Sequence, residues 1–328
     1  MPKTIRWGII GCGAVTEKKS GPAFQKARNS ALVAVMRRTA EKAADYARRH
    51  QVPRWYSDAE KLIEDPEVDA VYIATPPSDH KYYTLRVAQA GKPVYVEKPM
   101  ARNYPECQEM IAACREGGVP LFVAYYRRAL PRFQKIKELV ETGAIGQVRF
   151  VHICFYRPPY PEDYDAENRP WRTVPEIAGG GRFVDMASHT LDILDFILGP
   201  IREVQGDAAN QAGLYKAEDL VSCRFTFEAG YHGTGIWCFS SFRDVDFNEI
   251  VGEKGCIQFS TFGESPIILK TATQTENFSI KNPTHIQQPL IQSIVDELNG
   301  EGQCPSTGLT AARTNWVMDE ILKSYYQS

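Results

Sequence analysis

The chain has 328 residues, 24% of them charged, and a formal net charge of −2. That length suits two domains with separate cores, and so even a charge balance excludes the long-range field of a nucleic-acid or membrane-surface binder. No apolar run reaches the roughly 20 residues that cross a bilayer, and the opening MPKTIRWGIIGCG enters a strand pattern without a cleavage-site signature. A cytoplasmic location with small-molecule partners is therefore expected. The eight cysteines form no Cys-x-x-Cys pair and the six histidines are scattered singly, so reduced thiols and no bound metal are expected.

From residue 4 to about 125, short β-rich runs (TIRWGII, ALVAVM, VDAVYIAT, PVYVE, PLFVAYY) alternate with helix-patterned segments such as TAEKAADYARRH and YPECQEMIAACREGG. Repeated βα units argue for a doubly wound parallel sheet, a Rossmann-type domain over residues 1–125. After residue 125 the rhythm changes. A helix pattern, ALPRFQKIKELVETGAIG, leads into the strand QVRFVHICFY, then a Pro-rich aromatic loop, then the helix pattern in GGGRFVDMASHTLDIL. Five alternating runs follow with Gly-bearing turns between them, including a hairpin turn at GEKG, and two helix patterns close the chain. Consecutive strands without intervening helices predict an α+β domain on an open, mostly antiparallel sheet over residues 126–328.

GIIGCGAV places Gly11 and Gly13 at the exit of the first strand, where glycines permit a tight turn and close approach of a pyrophosphate to a helix start; Thr16 stands where a third glycine is usual. After the second strand, Arg37 and Arg38 replace the acid that binds a ribose 2′-hydroxyl. Two guanidinium forks suit a 2′-phosphate, so NADP is expected, with NAD as the second candidate; the competing reading is a pair of solvated surface arginines. In ATPPSDH, Pro76 and Pro77 force an extended loop at the carboxyl edge of the sheet, and His80 either lines the cofactor site or serves as a structural hydrogen-bonder.

The motif YVEKPMA, taken with GIIGCGAV, ATPPSDH, YYRRALPRF, ETGAIGQV, GGGRFVDMASHTLDIL and IVGEKGCIQF in the same order, resembles the glucose-fructose oxidoreductase and inositol dehydrogenase (Gfo/Idh/MocA) family over nearly the whole chain. The resemblance implies an N-terminal domain carrying NAD or NADP and a C-terminal domain whose open sheets pair in homodimers or homotetramers. It also implies hydride transfer at a secondary hydroxyl or ketone of a sugar or cyclitol. Lys98 matches the lysine of the family's Glu-Lys-Pro motif, and Asp185 and His189 match its Asp-x-x-x-His pair, with Ala187 where the family usually has glycine. Asp192 matches a following acid, either catalytic or bracing. Trp171 and Arg172 resemble a pair that lies beside the nicotinamide in sugar-reducing members. The expected cofactor-binding set is Gly11, Cys12, Gly13, Ala14, Val15, Arg37, Arg38, Ala74, Thr75, Pro76, Pro77, His80, Glu97, Lys98, Trp171 and Arg172.

The chemistry has a use for these residue types. Hydride transfer at a carbinol carbon develops negative charge on oxygen, so a proton must move in step. A histidine suits that role, a lysine stabilises the developing alkoxide, and an aspartate one helical turn before the histidine orients it or holds a neighbouring hydroxyl. Asp185, His189 and Asp192 share one helical stripe, which either faces a cleft or is the wet side of a surface helix. Tyr156, Arg157 and Tyr160 in the aromatic loop, together with Asp192, are the substrate-binding candidates, the loop residues offering flat faces for C–H surfaces and a charged fork for hydroxyls. Two other activities fit the same scaffold: an NAD-assisted glycosidase and a non-catalytic nucleotide or sugar sensor.

Overall fold

A computed structural model describes residues 2–327, which divide into two compact units: 2–130 with 283–312, and 131–282 with 313–327. The single boundary expected near residue 125 thus becomes three crossings. Residues 283–312 pack with the first unit because the helix Gln288–Leu298 buries Leu290, Ile291, Ile294 and Val295, and Gln287 is fully buried there.

In the first unit, β1 (Ile5–Ile10), β2 (Ser30–Met36), β3 (Arg54–Tyr56), β4 (Ala70–Ile73), β5 (Val94–Val96) and β6 (Leu121–Val123) form one sheet in the order β3-β2-β1-β4-β5-β6, with every pair parallel. Helices cover both faces, so the central strands read as unbroken apolar runs, and β4 and β5 are buried at every position. The short, half-exposed β3 carries no such signal and has no counterpart among the expected strands. On one side of the sheet Trp7, Phe24, Tyr72 and Tyr95 form an aromatic cluster with ring centroids 4.7–6.4 Å apart. The chain order reverses between β1 and β4, and in doubly wound sheets ligands bind at the carboxyl ends beside that reversal.

In the second unit, β7 (Val148–Tyr156), β8 (Ile201–Ala209), β9 (Leu220–Phe227), β10 (His232–Cys238), β11 (Val245–Gly252), β12 (Gly255–Phe259), β13 (Ile267–Thr271) and β14 (Thr275–Phe278) are ordered β14-β13-β12-β11-β7-β10-β9-β8. Adjacent strands are antiparallel except β7 and β10. That parallel pair forms because β8, β9 and the helix Arg182–Leu198 intervene in sequence, an arrangement strand patterns alone do not reveal. Glu253 and Lys254 make the expected two-residue hairpin turn between β11 and β12. Along β7 the inward residues Val151, Ile153 and Phe155 are buried, while Phe150, His152, Cys154 and Tyr156 lie on the half-open face. All eight cysteines are free thiols, five of them buried.

Candidate active site

Gly11 sits at the carboxyl end of β1 with φ +89°, a left-handed conformation that side chains other than glycine's adopt only under strain. A Cβ there would come within 3.0 Å of the Ala74 carbonyl and of Thr75 Cγ2, so the glycine lets the turn after β1 meet the loop after β4. The Gly11 and Cys12 amides donate to Met36 O at 3.0 and 3.1 Å, and the Ala74 amide to Ile10 O at 2.8 Å, which fixes the three strand ends together. At Gly13, which caps the helix Ala14–Lys18, a Cβ would meet Gly11 O at an ordinary contact distance of 3.8 Å. The Thr75 hydroxyl is buried with no hydrogen-bond partner. An uncrowded backbone at Gly13 and an unpartnered hydroxyl on the loop that meets Gly11 fit the pyrophosphate of a dinucleotide. Thr16, at the third-glycine position, donates through Oγ1 to Gly13 O at 2.8 Å and braces the turn instead. Burial pushes the Cys12 thiol up to about 11, so it packs as an apolar group. Ala14 is exposed and Val15 half-buried.

Arg37 and Arg38 leave β2 at the same edge. Arg37 is half-buried with Nη1 3.4 Å from Cys12 O, and Arg38 is exposed. Pro76 is extended and caps the helix that starts at Pro77. His80 is fully buried; its Nε2 meets Thr75 O at 2.9 Å and its Nδ1 meets Pro99 O at 3.1 Å and Met100 O at 3.2 Å. Burial lowers its pKa. His80 therefore ties the Thr75 loop to the Glu-Lys-Pro segment through backbone carbonyls, as a structural hydrogen-bonder does.

Glu97 and Lys98 follow β5, and the Lys98–Pro99 bond is cis. Glu97 is buried and turns inward: it accepts from Tyr72 Oη at 2.5 Å, from Gln287 Nε2 at 2.7 Å and from the Lys98 amide at 3.1 Å. Gln287 in turn accepts from Tyr95 Oη at 3.0 Å. This network holds the backbone on which half-buried Lys98 rides. Sequence reading missed Gln287 and Tyr72, and no local pattern marks a residue 190 positions from its partner.

In the second unit, Arg182–Leu198 is one helix in which every residue except Asp185, Met186 and Phe196 is buried. The wet-side reading of its polar stripe is thereby removed. His189 is 5% exposed and meets the Phe262 ring edge-on at 5.7 Å, while the Phe262 amide donates to Asp246 Oδ2 at 2.6 Å. Asp185, one turn earlier, accepts from Arg172 Nε at 3.1 Å, and Arg172 stacks on Trp171 at 4.3 Å. Asp192 is 1% exposed. Asp195 completes the series by taking Arg313 in a two-pronged contact, 2.7 Å on each oxygen.

The helix start is anchored by a residue the sequence did not flag. The Gly181 amide donates to buried Glu218 at 2.7 Å, and Tyr326 Oη donates to the other carboxylate oxygen at 2.5 Å. A Cβ on Gly181 would lie 2.8 Å from Ala217 Cβ and from Glu218 O, so only glycine lets the chain enter the helix this close to the sheet.

The aromatic loop divides the substrate candidates. Arg157 packs on Tyr160 at 3.6 Å and donates to its hydroxyl at 2.6 Å; Arg182 also packs on Tyr160, at 4.1 Å, and is bonded to buried Asp163. Tyr156, expected with them, stands on the sheet's half-open face beside Cys154, because strand alternation turns each successive residue to the opposite side. It is not brought together with Tyr160 and the helix. Among the described residues no group of three or more His, Cys, Asp or Glu side chains could hold a metal, and no helix is long and apolar enough to cross a membrane.

Residues 5–125 match the profile of the GFO_IDH_MocA oxidoreductase family, NAD-binding Rossmann fold, and residues 133–258 match the GFO/IDH/MocA C-terminal domain. Oxidoreductase P35 of Formosa agariphila is 40% identical over 319 residues, 97% of this chain and 98% of that protein. A 1,5-anhydro-D-fructose reductase of Ensifer adhaerens is 28% identical over 312 residues, 92% of this chain and 91% of the reductase. The crystal structure of aldose-aldose oxidoreductase from Caulobacter crescentus shares the fold, with a TM-score of 0.86 at 24% identity over 99% of this chain and 98% of that one.

Proposed function

Because the chain belongs to the Gfo/Idh/MocA family of NAD-binding oxidoreductases, we propose that it moves a hydride between NADP(H) and a secondary hydroxyl or ketone of a sugar or cyclitol. The observation that carries this reading is the helix Arg182–Leu198. It is buried almost throughout, yet it spends Asp185, His189 and Asp192 on successive turns, a costly choice for a helix whose only task is packing. The relationship to an anhydro-sugar reductase supports a carbohydrate substrate.

The nicotinamide supplies or accepts the hydride when bound. In the oxidative direction the imidazole of His189 takes the hydroxyl proton as hydride leaves the carbinol carbon, and in reduction it returns that proton to the new alkoxide. The Lys98 ammonium of the Glu-Lys-Pro segment is suited to stabilise negative charge on a substrate oxygen. Asp185, steadied by Arg172, holds a neighbouring hydroxyl. Asp192, more deeply buried, braces the helix. Arg37 and Arg38, with no acid at the end of β2, support NADP over NAD. The half-open face of the second sheet, where Phe150 remains 45% exposed, supports assembly as a homodimer or homotetramer.

Fluorescence titration with NADPH and NADH, followed by a panel of sugars, inositols and keto-sugars read at about 340 nm, tests the proposal. Wild type should bind NADPH at least tenfold more tightly, and the double variant Arg37→Asp, Arg38→Ser should lose that margin. Equal weakening of both cofactors would contradict the NADP assignment.

A further inference from the structure

Three arginines gather around the aromatic loop, and two are neutralised. Arg172 pairs with Asp185 at 3.1 Å; Arg182 pairs with Asp163 and, at 3.2 Å, with Glu162. Arg157 is the exception: no carboxylate among the described residues comes within 4.0 Å of it. Of its five side-chain N–H donors, one goes to Pro158 O at 3.4 Å and one to Tyr160 Oη at 2.6 Å. The rest of the fork has no acceptor among the described residues.

This cation is held in place rather than waving in solvent. The Arg157 amide donates to Cys238 O at 2.8 Å and its carbonyl accepts from the Ser241 amide at 3.1 Å, so the sheet fixes its backbone beyond the end of β7. Its guanidinium lies 3.6 Å from the Tyr160 ring centre, and Tyr160 is itself pinned by its amide on Asp163 at 2.9 Å and by Arg182 at 4.1 Å. The Tyr160 hydroxyl feels the charges of Arg157, Arg182, Asp185 and Asp163 together, which puts Arg157 in the same neighbourhood as the acid that opens the candidate catalytic helix.

We propose that Arg157, presented on the Tyr160 ring, is an anion-reading subsite that makes the substrate a carboxylated sugar, a uronic or aldonic acid. The inference rests on the sugar oxidoreductase reading above. A planar, pre-oriented fork matches a carboxylate through two parallel hydrogen bonds. Asp185, Asp163 and Glu162 match the three arginines charge for charge, so the subsite offers a free hydrogen-bonding fork rather than surplus positive charge, which suits a singly charged carboxylate and disfavours a dianionic phosphate ester.

The test is calorimetric titration of the NADPH-loaded protein with D-glucuronate, D-galacturonate, the two matching hexoses and glucose 6-phosphate, together with turnover on each. Wild type should bind at least one hexuronate tenfold or more tightly than its hexose; Arg157→Gln should collapse that ratio, and Arg157→Lys should restore part of it. Equal binding of acids and hexoses, tighter binding of the phosphate ester, or an unchanged ratio in Arg157→Gln would overturn the proposal. Arg157-dependent uronate binding without turnover of any sugar would instead overturn the oxidoreductase reading and leave the anion subsite standing.

Discussion

Glu218→Gln should remove a pH dependence of stability that originates beneath the candidate catalytic helix. Glu218 is fully buried, and desolvation pushes its carboxyl up to about 7 from an ordinary 4.5, with the neighbouring Asp219 charge adding to the rise and the bonds from Tyr326 and Gly181 opposing it. Tyr215 and Tyr325 are the other titratable groups close enough to sense it. A carboxyl whose folded-state pKa is raised binds more protons folded than unfolded, so its stabilisation is complete below about 4.5 and is lost as pH rises through about 7. Between pH 5.5 and 8 that loss amounts to about 2 kcal/mol. Glutamine keeps an acceptor for the Gly181 amide and offers its own amide to Tyr326 without burying a charge. Urea unfolding of wild type and Glu218→Gln at the two pH values should therefore show the variant gaining about 2 kcal/mol on wild type at the higher pH. Parallel stability profiles for the two proteins would refute the reasoning.

Other perturbations follow from the same geometry. Gly11→Ala forces a Cβ into a left-handed turn 3.0 Å from the Ala74 carbonyl; it should cost about 1–3 kcal/mol and weaken dinucleotide binding at least tenfold by fluorescence titration, and wild-type affinity would contradict the fit. Gln287→Leu strips one donor from Glu97 and the acceptor from Tyr95, so denaturant unfolding should register a loss of about 2–4 kcal/mol, with no change counting against the network. Asp195→Asn breaks the two-pronged contact with Arg313; since the arginine is 38% exposed, a loss of about 1–3 kcal/mol is expected rather than that of a fully buried pair, again read by urea unfolding.

The parallel half of the fold was legible because strands covered on both faces must be apolar at consecutive positions, and Gly11 and the Glu-Lys-Pro segment mark where those strands end. The three-residue β3, Arg-Trp-Tyr, lies half-exposed at the sheet edge, too short to show an apolar run, and escaped for that reason. The polar spacing of Asp185, His189 and Asp192 was visible, but whether it faced water was not, since burial depends on what packs around the helix and not on its own period. Tyr156 shows how little separates a candidate from a bystander: one residue along β7 reverses the face. Gln287 and Glu218 support Lys98 and Gly181 from distant parts of the chain, and such partners have no local pattern to read.

The central claim is that His189 handles the proton while hydride moves at a sugar carbon. Its most direct test is the pre-steady-state rate of NADPH oxidation or NADP reduction with the best sugar from the panel, compared between wild type and His189→Asn at saturating cofactor. A fall of about 100-fold or more, with the dissociation constant for NADPH changed less than threefold, is the expected result. A variant that reacts at the wild-type rate would contradict the account.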